Sequence, residues 1–284
     1  MLLIVGWVIA LACIFVGFIL SGGQMAALVH PVKMMMIIGG ALGAFVAGCT
    51  PGTLKAVLRA APSAFKGAKY SKAVNTELLC LLYAVLSKIR KEGMISIEGE
   101  IENPEGGAIF PSYPAVMADH HLIEFLCDYL RMMVSGTMDP NELEDLMNAE
   151  IETHHQEGHV PINMLNKLAD SMPAFGIVAA VMGVVITMGS LNEPPAVLGY
   201  MIGAALVGAF VGILFGYGIF GPVPTVMEQK LTESSKAFEC VKETLLASLS
   251  GASPAVAVEY GRKVLFSDVR PSFMELEEAI KTPR

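Results

Sequence analysis

His155 and His159 stand four residues apart, in a segment that also holds Glu150, Glu152, His154 and Glu157. On a helix this spacing puts two imidazoles on one face, as in zinc-binding HExxH sites. Gln156 occupies the place of the glutamate base, so the cluster reads as a solvated polar helix. His120 and His121 carry no ligand spacing. Gly39-Gly40-Ala41-Leu42-Gly43 lies within an apolar run and is followed by no P-loop lysine, so it is not a phosphate loop. Cys13, Cys49, Cys80, Cys127 and Cys240 are scattered without a CxxC pair, which argues against a disulfide frame or a zinc site. No nucleophile–base set is present. The chain reads as a non-enzyme without a cofactor.

Two prolines offer a different chemistry. Pro173, inside Asp170-Ser171-Met172-Pro173-Ala174-Phe175-Gly176, leaves the Ala169 carbonyl without its helical donor, and Pro222 does the same for Gly218. Pro173 reads as a hinge. Pro222 reads equally as a break or as a simple helix end, and Asp170 as a cap. Both prolines sit at the ends of long apolar runs. Carbonyls freed there must find other partners.

The positioning elements are those runs. Residues 2–20, 34–49, 173–189 and 197–220 contain no Asp, Glu, Lys or Arg. The first and fourth approach the roughly 20 residues that cross a hydrocarbon core, and the shorter two are each paired with a longer neighbour across a short tip. With 54% hydrophobic and 16% charged residues, the composition suits a membrane protein with a large soluble part. The expected fold is an all-α integral membrane protein with four transmembrane helices in two hairpins and a large helical cytoplasmic domain. Its parts are a first hairpin (1–50), a cytoplasmic helical domain (51–169), a second hairpin (170–224) and C-terminal cytoplasmic helices (225–284).

Every Lys and Arg except Lys33 falls within residues 51–169 or 225–284. The positive-inside bias therefore places both termini in the cytoplasm and both tips outside. Lys33 is expected to bury its stem while its ammonium reaches the headgroups. The first 20 residues lack a basic n-region and form too long an apolar run for a signal peptide, so they read as a retained helix. Lys55, Arg59, Lys66, Lys69 and Lys72 interleave with Leu54, Val57, Leu58 and Phe65, a basic amphipathic stretch suited to anionic lipid. A solvated basic linker is the alternative. Nucleic acid is excluded as a partner by the acidic remainder and a net charge of -8.

Within the cytoplasmic part, the apolar spacing predicts a helix over 72–91 ending at Gly93, and a second over 113–135 closed by Gly136. Asp139-Pro140 opens a third, and Pro161 restarts the chain towards the third span. Helices are also expected at 225–250 and 254–266. Small residues repeat on the spans: Gly199, Gly203, Gly208, Gly212 and Gly216 on the fourth, Ala179, Ala180 and Gly183 on the third, Gly39 and Gly43 on the second. Such faces let helix backbones approach in lipid. Their extent favours partners beyond one subunit. Arg90 and Glu98 flank Gly93 amid Lys88, Lys91, Glu92, Glu100 and Glu102, a mixed-charge surface that is either solvated or a docking face.

Several stretches carry a family likeness: Pro173-Ala174-Phe175-Gly176-Ile177-Val178-Ala179-Ala180-Val181-Met182-Gly183-Val184-Val185, Ala257-Val258-Glu259-Tyr260-Gly261-Arg262-Lys263, and Arg270-Pro271-Ser272-Phe273-Met274-Glu275-Leu276-Glu277. With Ile101-Glu102-Asn103-Pro104 and Ser112-Tyr113-Pro114, the chain resembles the MotA family of flagellar motor stators along essentially its whole length. ExbB and TolQ are more distant relatives.

The resemblance implies a stator subunit in the bacterial inner membrane, a ring of five around two copies of MotB. MotB is a single-span protein that would supply the ion-carrying Asp. That matches the missing acid here, since a carboxylate in lipid is costly and marks an ion path. By the same resemblance, Met172, Pro173, Ala180, Gly183, Ala209 and Pro222 would serve the ion path and its coupling, and Arg90 and Glu98 would meet the rotor protein FliG. Sodium-type relatives place threonines where Ala180 and Ala209 stand, so the translocated ion is expected to be a proton. Many proton-type members keep a hydroxyl at the position of Ala209; Thr187 is the nearest substitute. The rival readings are an ExbB- or TolQ-like engine, whose members usually have three spans, and a self-sufficient channel or transporter.

Overall fold

The computed structural model describes residues 2–136 and 139–281. The described residues are helical and loop, without strands. They divide into two compact units, one formed by Met1–Gly67 with Glu157–Gln229 and the other by Ala68–Gln156 with Lys230–Arg284.

The first unit is apolar. Helix α1 (Leu2–Leu20) has no charged residue and buries none of its side chains within the chain. A 3₁₀ turn at Met25–Leu28 leads into α2 (Pro31–Ala47), which starts earlier than the charge-free run because Pro31 takes the first helical position. Thr50 caps α3 (Pro51–Ala60), its hydroxyl accepting the Thr53 N–H at 3.2 Å. A 3₁₀ turn follows at Ala61–Phe65. Among the described residues, four helical stretches are long and apolar enough to cross a membrane: Leu2–Leu20, Met25–Ala47, and parts of Pro140–Met188 and Pro195–Leu249. The expected four spans are therefore present.

The second unit has a conventional apolar core. Helix α4 (Lys72–Glu92) buries Leu78, Leu79, Leu81, Leu82, Val85 and Leu86 and ends at Gly93, whose φ of +86° suits a residue without Cβ. The short α5 (Glu98–Glu102) follows. The expected helix over 113–135 is instead two, α6 (Pro114–Met117) and α7 (His120–Ser135). Asp119 lies at the break because its carboxylate is used elsewhere, accepting the Tyr70 hydroxyl and pairing with Lys69 at 2.7 Å. Phe125 of α7 packs edge-on against Tyr129 and Phe238, with ring centroids 4.7 and 5.1 Å away.

Helix α8 (Pro140–Met188) is continuous for 49 residues, with Pro161 and Pro173 inside it. The expected restart at Pro161 does not occur. Buried Ile162, Met164, Leu165, Leu168 and Ala169 fix the following turns, which holds the helix across the missing hydrogen bond. Asp170, in mid-helix, caps nothing.

Helix α9 (Pro195–Ile213) runs through a π-helical segment, Leu214–Phe220, towards α10 (Pro222–Leu249). Helices α11 (Pro254–Val264) and α12 (Phe273–Lys281) complete the second unit. A capping box opens α12, with the Ser272 N–H donating to Glu275 at 2.6 Å and the Glu275 N–H donating back to Ser272 Oγ at 3.3 Å.

Candidate functional site

The small residues of α8 and α9 build a backbone-to-backbone crossing. A Cβ added to Gly176 would stand 2.9 Å from the Gly208 carbonyl oxygen and 3.0 Å from Gly212 Cα. One on Gly208 would meet the Ala180 nitrogen at 3.1 Å and Ala179 Cβ at 3.2 Å, and one on Gly183 would meet Ala205 Cβ at 2.7 Å. One on Gly212 would lie 2.6 Å from the Met172 carbonyl oxygen. The ladder works because successive rungs, three or four residues apart, fall on one face of each helix. Without a hydrophobic drive in lipid, such close approach is what holds two spans together.

Gly216 extends this ladder to the prolines. A Cβ there would stand 2.6 Å from Pro173 Cδ and 2.7 Å from the Ala169 carbonyl oxygen. That carbonyl is the one Pro173 deprives of its helical donor. The Gly216 carbonyl in turn accepts the Gly221 N–H at 2.7 Å, a bond five residues long. This wider winding is how the chain meets Pro222, which has no N–H to offer Gly218. Pro222 is thus neither a plain helix end nor a sharp break. Its missing donor is absorbed by a π turn whose pivotal residue touches Pro173.

The site residues expected from sequence divide accordingly. Met172 is fully buried in the crossing, and Pro173 and Gly183 lie along it. Ala180 borders it half-buried, and Ala209 is half-buried next to Gly208. Thr187 offers no free hydroxyl hydrogen, since Oγ1 donates to its own helix at the Gly183 carbonyl, 2.9 Å away. Of the small faces, Gly208, Gly212 and Gly216 are consumed within the chain. A Cβ at Gly39, Gly43, Gly199 or Gly203 would meet nothing within 4 Å, whereas one at Gly40 would run into Phe175. Lys33 departs from expectation: its ammonium donates to the Ala204 carbonyl on α9 rather than reaching for headgroups. Carbonyls keep a second lone pair inside a helix, and the small neighbours Gly183 and Ala205 leave room for the stem.

Arg90 and Glu98 are both exposed on either side of the Gly93 turn, and neither joins an ion pair among the described residues. Exposed Lys91, Glu92 and Glu102 accompany them. Lys88 and Glu100 do not belong to this face. Glu100 is only 5% exposed and accepts from Lys88 at 3.1 Å, Ala108 N–H at 3.1 Å and Ile109 N–H at 3.0 Å. Burial pushes its pKa up, but the Ile109 amide, Lys88 and the Ala108 amide outweigh it and leave the carboxyl below the ordinary range. It fastens the loop after α5.

The polar histidines are engaged as well. His155 Nδ1 lies 2.9 Å from Ser235 Oγ, and His154 packs over Phe238 with centroids 4.6 Å apart. No group of three metal-ligating side chains occurs among the described residues. In the basic stretch, Lys55 and Arg59 are outward on the same surface as Leu58 (68% exposed) and Phe65 (48%). Lys69 and Lys72 are instead spent on Asp119 and Glu275. Sequence reasoning missed one buried device. Arg262 forks onto Glu259 at 2.9 and 2.8 Å and donates to the Pro271 carbonyl at 3.0 Å. Two of the motif stretches noted in the sequence are thereby a structural clasp.

Comparison with known proteins gives these features a family. Residues 4–93 match the profile of the motility protein A N-terminal domain, and residues 118–240 that of the MotA/TolQ/ExbB proton channel family. The chain is 47% identical to Motility protein A of Escherichia coli, covering 100% of this chain and 97% of that protein. It is 46% identical to Motility protein A of Salmonella typhimurium (100% and 96% covered) and 38% identical to Chemotaxis protein LafT of Vibrio parahaemolyticus (94% of each). Its fold is similar to that in the structure of C. jejuni MotAB, with a TM-score of 0.78, 21% identity, and 95% of this chain and 98% of that one covered. It is also similar to that in the flagellar MotAB stator complex from Bacillus subtilis, with a TM-score of 0.73, 24% identity, and coverages of 90% and 92%. A four-span, acid-free helical wall with this crossing, matched along its whole length by motility proteins, belongs to the motility protein A family.

Proposed function

We propose that this chain is the stator subunit of a bacterial flagellar motor, which converts proton entry into torque on the rotor. The observation that carries the reading is Gly216, held between Pro173 and the π turn before Pro222 in spans that bring no acid of their own. Such a wall can change shape when a partner's carboxylate gains or loses a proton, yet it cannot carry the proton itself. The similar solved structures are MotAB complexes, which supports a MotB-like single-span partner bearing the membrane Asp, with five copies of this chain ringed around it. Outward Gly39, Gly43, Gly199 and Gly203 leave small faces for neighbouring helices.

The ion is a proton, because Ala180 and Ala209 offer no side-chain oxygen for a hard cation. The location is the inner membrane with both termini cytoplasmic, from the distribution of Lys and Arg. Arg90 and Glu98 dock on the rotor protein FliG, and Lys55 and Arg59 with Leu58 and Phe65 rest on anionic lipid. Four spans favour this reading over an ExbB- or TolQ-like engine.

The test is complementation. A non-swimming strain that lacks its own stator subunit and partner should regain swimming when given this chain with its single-span partner, and neither protein alone should suffice. Swimming should survive sodium depletion and stop with a protonophore. Conductance from the purified chain alone would overturn the division of labour.

A further inference from the structure

A cleft of about 230 Å³ opens beside Arg90 in the second unit. The core residues Leu86 and Met133 form its floor, and Ile89, Met94, Leu249 and Pro254 its walls. Arg90 stands exposed at the lip and is the one charged side chain lining the cleft among the described residues. Ile95, next to Met94 on the Gly93 turn, is 75% exposed. This face therefore differs from an ordinary solvated one, where charges stand over a closed surface. Here a single cation borders a recess that reaches the apolar core. A large aliphatic or aromatic side chain fits such a recess, and a carboxylate carried beside it would meet the guanidinium.

We infer that this cleft is a socket for one apolar side chain of the rotor, presented next to an acidic residue that pairs with Arg90. The inference rests on the stator reading above, which puts the rotor at Arg90, and it adds an apolar element to that contact. The two elements do different work. A charge at the rim of an interface steers encounter and so sets the rate of arrival. A side chain buried in a water-free pocket sets the rate of release. Methionine is unbranched and adapts its shape, so Met94 and Met133 suit a socket that is repeatedly filled and emptied as the rotor passes.

The test uses a strain that lacks its own stator subunit and partner, complemented with this chain and its single-span partner. On a tethered bead, steps up in speed count arriving stator units and steps down count departures. Ser248 also lines the cleft, so Ser248→Leu fills it, and Met94→Gln makes one wall polar. Each should shorten the dwell of a unit by about tenfold, the worth of one partly buried apolar side chain, with arrival unchanged. Arg90→Ala should slow arrival instead. Ser250→Leu adds the same side chain to a different cleft, which holds Glu144 and Glu243, and should leave both rates near wild type. Wild-type dwell in both cleft variants overturns the socket, as does equal shortening by Ser250→Leu. So does failure of both cleft variants to reach the membrane while Ser250→Leu does. A smaller complex on a native gel for Ser248→Leu would give the cleft to a neighbouring copy and likewise overturn it. Unchanged arrival in Arg90→Ala removes the rotor from this face altogether. A wild-type pair that restores no rotation overturns the stator reading itself.

Discussion

Gly216 lies so close to Pro173 that a single added methyl would stand 2.6 Å from the proline ring. The contact joins the Pro173 turn of α8 to the π turn beyond α9, whose Gly221–Gly216 bond immediately precedes Pro222. Gly216→Ala should therefore force the two turns apart, at about 1–3 kcal/mol for overpacking. Its expected result is a stator that reaches the membrane in normal amount but supports little or no swimming. Motility-plate diameter set against membrane immunoblots checks this, and normal swimming would remove Gly216 from the coupling.

Pro173→Ala acts from the other side of the same contact. It restores a donor for the Ala169 carbonyl and removes a residue that costs about 3 kcal/mol in a helix interior. The variant should be at least as stable as wild type in thermal unfolding, yet fail to drive rotation. Stability gained with motility lost is the signature of a hinge. Wild-type swimming speed would sink the assigned role.

Arg90 and Glu98 are exposed and join no ion pair among the described residues, so reversing either should change stability by no more than about 0.5 kcal/mol. Arg90→Glu and Glu98→Lys should nevertheless reduce torque on a tethered bead, and reversing an opposite charge on the rotor should restore it. Absence of rescue by every rotor reversal would count against direct docking.

Glu100 makes the contrasting prediction, since it holds a loop rather than facing a partner. Glu100→Ala strips an acceptor from the Ala108 and Ile109 amides and should destabilise the protein by about 1–3 kcal/mol. Because its folded pKa is depressed, the carboxylate stabilises the fold above the unfolded value near 4.3. That contribution disappears as pH falls through the lower folded value. Melting temperature from pH 6 to 3 should decline less steeply in Glu100→Gln than in wild type. Equal slopes would refute the assignment.

The spans were legible because an uncharged run has few other homes, and α4 because Leu78, Leu82, Val85 and Leu86 repeat at helical spacing before Gly93. Three features were not. Pro161 looked like a boundary, yet burial of Ile162 and Leu165 overrides the lost hydrogen bond. Lys33 looked like an anchor at the membrane rim, and only tertiary placement shows it bonded to Ala204, far away in sequence. Glu100 looked interchangeable with Glu98, because charge alone does not tell which of two acids a following loop will fold over. The crossing was half-visible: the glycines announced close packing, but not which would be used within the chain.

The ladder between α8 and α9 has one further property. Gly176, Gly208, Gly212 and Gly216 already carry the smallest side chain available, so variation at these positions can move in a single direction. No substitution loosens them by trimming atoms; every one inserts a wedge. Adaptation of this motor to another load or ion must then enter through the half-buried residues beside the ladder, such as Ala180 and Ala209, whose side chains can still gain volume or polarity.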